Sequence, residues 1–145
     1  MAGISEVESH HGQYGGGHLD ARGRTTVPIR GPRLDGSPGM ARITDTDGGV
    51  LDGDPVFDRA VGPMQFIPST WRRWAIDGDG DAKTDPDDIY DVARTAAAYL
   101  CAGRPDLTSE LALTAAYLSY NQSSAYATAV LGFARQFESS LTVPG

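Results

Sequence analysis

Glu8-Ser9 closes an opening segment in which Ile4, Val7 and His11 share one helical face. A carboxyl group there can give and take a proton near neutral pH, provided a partly apolar cleft raises its pKa. Taken alone, the dipeptide reads as a solvated helix glutamate. Glu6 is the nearest rival, but it lacks the following serine and faces elsewhere on the helix. In the middle of the chain, Gly62-Pro63-Met64-Gln65 offers a glycine that permits close backbone approach. It also offers a soft apolar side chain, Met64, and an amide, Gln65, that both donates and accepts hydrogen bonds. The bland alternative for this segment is a buried turn before a helix. Tyr120-Asn121 supplies a hydroxyl at a helix end, with a core aromatic as its alternative.

An acid-rich loop follows the middle segment. Asp77, Asp79 and Asp81 take the first three oxygen positions of an EF-hand, and Lys83 offers a backbone carbonyl at the next. Ala82 stands where that loop normally has glycine, and Asp88 stands at position twelve in place of a bidentate glutamate. Seven carboxylates so close would repel one another without a cation, and clustered oxygens suit calcium better than zinc. His10, His11 and His18 do not make a comparable cluster, because adjacent histidines on a regular helix cannot face one ion.

The motifs in this order and at these separations resemble the lysozyme-like catalytic domain of lytic transglycosylases, over roughly residues 4–137. The middle segment through Trp71, together with the acidic loop, resembles the membrane-bound lytic transglycosylase B branch. The resemblance implies that Glu8 is the single catalytic acid/base and that Ser9, Met64, Gln65, Tyr120 and Asn121 line the substrate cleft. It implies a structural calcium ion held by Asp77, Asp79, Asp81, Lys83 and Asp91, since the branch uses a loop longer than the standard twelve; Asp88 is the second choice for the last ligand. It also implies peptidoglycan glycan strands as substrate, cut between MurNAc and GlcNAc to leave 1,6-anhydro ends. One departure is visible: the family continues its Tyr-Asn pair with alanine-glycine, whereas this chain continues Gln122-Ser123-Ser124. Two alternatives stay open. A hydrolytic muramidase would need a second carboxylate, with Asp20, Asp47, Asp52 and Asp54 as candidates, and a peptidoglycan-binding module would need no activity.

These residues must be positioned by a mainly α, lysozyme-like fold of a single 145-residue domain. Eleven of the eighteen glycines fall between Gly12 and Gly53, so residues 12–59 read as an irregular cleft wall with room for a small β-hairpin. Helices return at Pro68, with Ser69 expected as N-cap, and again near Asp88 or Asp91, ending at Gly103. A third is expected to start at Thr108 and carry Leu111, Ala115 and Leu118. A fourth is expected to start at Ser123 or Ser124 and carry Tyr126, Val130, Phe133 and Phe137. Cys101, the only cysteine, reads as a buried small hydrophobe.

Net charge is −7, but it is unevenly placed. Residues 45–91 hold twelve aspartates against Arg59, Arg72, Arg73 and Lys83, which argues against nucleic acid as a partner and for a divalent cation. No run of apolar residues is long enough to span a membrane. No signal peptide is visible; the chain opens inside a helix, which suggests a missing upstream part that would hide any export signal, and the expected place of action is outside the cytoplasm.

Overall fold

The computed structural model describes residues 1–104 and 106–141. The architecture is mainly α, as expected for a lysozyme-like domain. It comprises α1 (Ala2–Ser9), α2 (Pro68–Trp74), α3 (Ile89–Cys101), α4 (Glu110–Tyr120) and α5 (Ser124–Leu141). A short 3-10 turn (Tyr14–Gly16) and two strands, β1 (Arg30–Arg33) and β2 (Arg59–Val61), complete it. The strands pair antiparallel, with a bulge between Arg30 and Arg33. Thus the long glycine-rich stretch is not a local hairpin: its strand closes on residues at its far end. Isolated pairings Leu19–Thr25, Asp35–Arg42 and Thr44–Phe57 tie the intervening chain together.

One core joins the elements. Ile4 of α1 and Val61 of β2 meet Met64, Phe66 and Trp71 around α2, Val92, Ala96 and Leu100 of α3, Ala116 and Tyr117 of α4, and Ala127 and Val130 of α5. Helix α1 lies directly on α5. Gly3 makes that contact possible, because a Cβ there would come within 2.4 Å of the Val130 carbonyl oxygen.

Several local expectations shift. Helix α2 starts at Pro68, preceded by extended Ile67 and without a side-chain cap; the fixed φ of proline at the first turn takes the place of the Ser69 cap. Ser109, not Thr108, caps α4 by accepting from the Ala112 amide, while Thr108 bonds the Asp106 carboxylate through its amide and hydroxyl. Helix α4 turns Ala116 and Tyr117 inward, with Leu113 packed on the core, so Leu111 is left 82% exposed. Cys101 is exposed on the last turn of α3. Asp88 caps α3 by accepting from the Tyr90 amide, and Ser123 Oγ accepts from the Tyr126 amide at the start of α5.

Candidate active site and metal centre

Helix α1 delivers Glu8 from its last turn, and the chain then reverses through His10 and His11, both in the left-handed region at φ 50° and 56°. Outside the helix, both histidine rings reach Glu6, His10 Nδ1 at 3.1 Å and His11 Nε2 at 3.1 Å. Glu6 is therefore engaged on that side, and the adjacency argument from a regular helix does not apply to these two rings.

Glu8 opens into a cavity of about 190 Å³ lined by Tyr14, Ile29, Gly31, Pro32 and Gln65, among which it is the only carboxylate. Burial raises its pKa from 4.5 to about 7, against a hydrogen bond from the Tyr126 hydroxyl that pulls it down. That hydroxyl donates to Glu8 Oε1 at 2.7 Å. Burial and the neighbouring carboxylate push the tyrosine's own pKa upward, so it stays a donor throughout the physiological range. Sequence reasoning placed Tyr126 on the apolar stripe of α5 and gave it no role. The available signal was its hydroxyl, which on a stripe of Val130, Phe133 and Phe137 needs a polar partner.

The other cleft candidates take different places. Ser9 is buried: its Oγ donates to the Pro63 carbonyl at 2.7 Å and accepts from the Gly12 amide at 2.9 Å. It staples the end of α1 to the 62–65 segment and does not face a ligand. Met64 is 1% exposed, so its side chain belongs to the core and not to a sugar-facing surface. Its carbonyl accepts from the Tyr120 hydroxyl at 2.8 Å. Tyr120 packs edge-on to Phe66 and Tyr99 and lines a second, smaller cavity with Gln65, Ile67 and Thr70. Gln65 does line the cavity. It sits at φ 53°, donates from Nε2 to the Gly62 carbonyl at 3.0 Å, and holds Oε1 over Gly31, where a Cβ would come within 2.7 Å of it. Asn121 is exposed beyond α4, accepting from the Ser123 amide at 3.2 Å.

None of the four candidate second carboxylates lines this cavity. Asp20 accepts from the Arg22 and Arg24 amides, and Asp47 from those of Gly49 and Leu51. Asp52 takes the Arg59 and Asp54 amides. Asp54 is held by Arg33 and Arg59, and the Arg33 hydrogen bond keeps its carboxyl well below the usual range.

In the acidic loop, one oxygen each of Asp77, Asp79 and Asp91 lie within 4.8 Å of one another. Asp91 is buried and accepts from the Gly78 amide at 2.6 Å and the Asp85 amide at 2.8 Å. Asp88 is also buried, and its Oδ2 has no hydrogen-bond partner. The all-oxygen set of Asp77, Asp79 and Asp91 fits a hard divalent cation. Asp81 and Lys83 stand further along the loop, where the Lys83 amide donates to Asp81 Oδ1 at 2.9 Å. Asp45, Asp47 and Asp58 form a second carboxylate group, with Asp58 already committed to the Thr46 amide and hydroxyl.

Residues 58–104 match the family described as Transglycosylase SLT domain. This match supports a domain of the lytic transglycosylase type. The segment carries Gly62–Gln65, α2, the acidic loop and α3 of the transglycosylase-type domain, while Glu8 and Tyr126 lie outside the matched stretch. No curated protein and no solved structure matches the chain. No helix among the described residues is long and apolar enough to cross a membrane.

Proposed function

We propose that this chain is a peptidoglycan lytic transglycosylase that uses Glu8 as its single acid/base, outside the cytoplasm. The observation that carries the reading is Glu8 itself: the only carboxylate among the residues lining its cavity, with a pKa near 7 and a tyrosine hydroxyl fixed on one oxygen. Burial keeps a large fraction of Glu8 protonated at neutral pH, as donation to a glycosidic oxygen requires.

The steps follow from one proton donor. Glu8 gives its proton to the oxygen between MurNAc and GlcNAc, and the C1–O bond breaks. The substrate's own 2-acetamido oxygen closes on C1 and takes the developing positive charge. Glu8, now a carboxylate held by Tyr126, accepts the proton of the MurNAc 6-hydroxyl as that oxygen displaces the acetamido group at C1. No water is consumed, and Glu8 ends protonated again. Acid–base help of this kind contributes about 10²–10⁴-fold. The Gln65 side chain supplies the amide nearest the cavity for orienting an acetamido group.

We also propose a structural calcium ion on Asp77, Asp79 and Asp91, with Asp81 and the Lys83 carbonyl nearby in the loop. The three converging carboxylates support it. The ion would join the segment after α2 to the start of α3 and takes no part in bond cleavage.

The test is mass spectrometry of soluble products from purified peptidoglycan, with Glu8→Gln as control. Anhydro-muropeptides, one water lighter than reducing ones, and their loss in E8Q are the expected result. Reducing ends would mean hydrolysis with a second carboxylate. Retained binding without products would mean a binding module, and undiminished cleavage by E8Q would remove Glu8 from the reaction.

A further inference from the structure

The carboxylates of the acidic loop divide into two groups. Asp77, Asp79 and Asp91 converge on one another, whereas Asp81, Asp85 and Asp88 converge on a guanidinium. Arg24 reaches Asp85 Oδ2 with Nη1 at 2.7 Å, Asp81 Oδ2 with Nη2 at 3.2 Å, and Asp88 Oδ2 with Nε at 3.6 Å. Asp79 also feels its charge, and Asp88 feels Asp79 and Asp91, so the two groups form one electrostatic neighbourhood.

Arg24 is delivered there by fixed backbone. Its amide donates to Asp20 Oδ1 at 3.0 Å, the Ile89 amide donates to the Gly23 carbonyl at 2.9 Å, and the Thr25 amide donates to the Asp87 carbonyl at 2.9 Å. Gly23 packs so closely that a Cβ would strike the Tyr90 ring at 2.6 Å. A few residues on, Arg30 grips Asp87 through two bonds of 2.9 Å. Ile29, Gly31 and Pro32 then line the Glu8 cavity. The segment carrying Arg24 is thus the cleft wall, docked on the acidic loop.

We propose that Arg24 is a resident counter-ion of the acidic loop, one that weakens divalent-cation binding at Asp77, Asp79 and Asp91 and couples it to docking of the cleft wall. This rests on the calcium reading above. A positive charge held in this neighbourhood repels an incoming cation, and it also relieves carboxylate repulsion when no ion is bound. Linkage ties the two readouts: the part of an ion-free stability deficit that calcium restores equals the gain in ion affinity.

The experiment compares the whole chain with Arg24→Gln and Arg24→Lys. Calcium affinity is read by chelator competition starting from loaded protein, so a variant that needs the ion to fold is still measured. Melting is followed in chelator and in saturating calcium. R24Q is expected to bind calcium at least about fivefold more tightly, to melt lower in chelator, and to lose most of that deficit in calcium. R24K keeps the charge and should stay within about twofold of the parent affinity. Unchanged or weaker binding by R24Q overturns the proposal while leaving the calcium site standing. Uptake of calcium by R24Q but not by the parent chain upholds the counter-ion role and removes calcium from the native protein. No uptake by either overturns both.

Discussion

The burial of Glu8 costs stability at neutral pH. Its folded pKa of about 7 lies above the ordinary 4.5, so folding favours the protonated form. The sign follows: this group's contribution is fully present below pH 4.5 and is lost as pH rises through about 7. Replacing Glu8 by Gln should therefore stabilise the protein at pH 8, by at most about 3 kcal/mol, and leave it nearly unchanged at pH 4. Denaturant titrations at the two pH values check this, and equal shifts at both would mean that Glu8 is not desolvated. Tyr126→Phe removes the bond that lowers the Glu8 pKa. The alkaline limb of the rate–pH profile should move up by about one unit, with a slower reaction below it. A limb that stays put would mean that Tyr126 does not touch the working carboxylate. Ser9→Ala strands the Pro63 carbonyl and the Gly12 amide. A loss of about 1–3 kcal/mol in urea unfolding is expected, and a negligible loss would show that the staple carries no strain. At this scale Glu8 stood out in the sequence because its serine and its distant partner motifs accompany it, and its cavity supports the proposed role. Met64 was not legible, because a Gly-Pro-Met-Gln string looks alike whether methionine faces a ligand or a core, and its burial shows the side chain in the core.

Among the elements, the acidic loop decides how α2 meets α3. Asp91 closes the loop from the first turn of α3 onto the Gly78 and Asp85 amides, and Thr95 Oγ1 accepts from the Ile76 amide at 2.9 Å. An ion on Asp77, Asp79 and Asp91 would add to these ties. Chelation of loaded protein is expected to lower Tm, by an amount that grows with the calcium concentration of the reference sample; a Tm indifferent to chelator would dismiss the ion. Helix existence was readable from apolar spacing, since α3 and α5 lie where their stripes predict. The cap of α2 moved from Ser69 to Ile67 and that of α4 from Thr108 to Ser109, because Pro68 and Ser109 compete with equally plausible neighbours. The pairing of β1 with β2 was not readable at all. Its partners are separated by most of a glycine-rich stretch with no alternation to signal them, and Asp-to-amide bonds, not apolar faces, hold the intervening turns.

Across the whole molecule, the junction of α1 with α5 matters most, because it brings Glu8 to Tyr126 from positions 118 apart. Gly3→Ala would drive a methyl into the Val130 carbonyl and the Ala134 amide. We expect a loss of about 1–3 kcal/mol and a slower reaction, since the helix that shifts is the one carrying the acid. Full activity in a destabilised G3A protein would show that the Glu8–Tyr126 bond tolerates the movement. The same junction has a temporal consequence. Until the first and last helices meet, Glu8 is an ordinary solvated glutamate, ionised at neutral pH and unable to protonate an ether oxygen. On the proposed reading a nascent or partly unfolded chain is therefore chemically silent, and the appearance of a carboxyl titrating near neutrality marks the moment at which the two helices have closed.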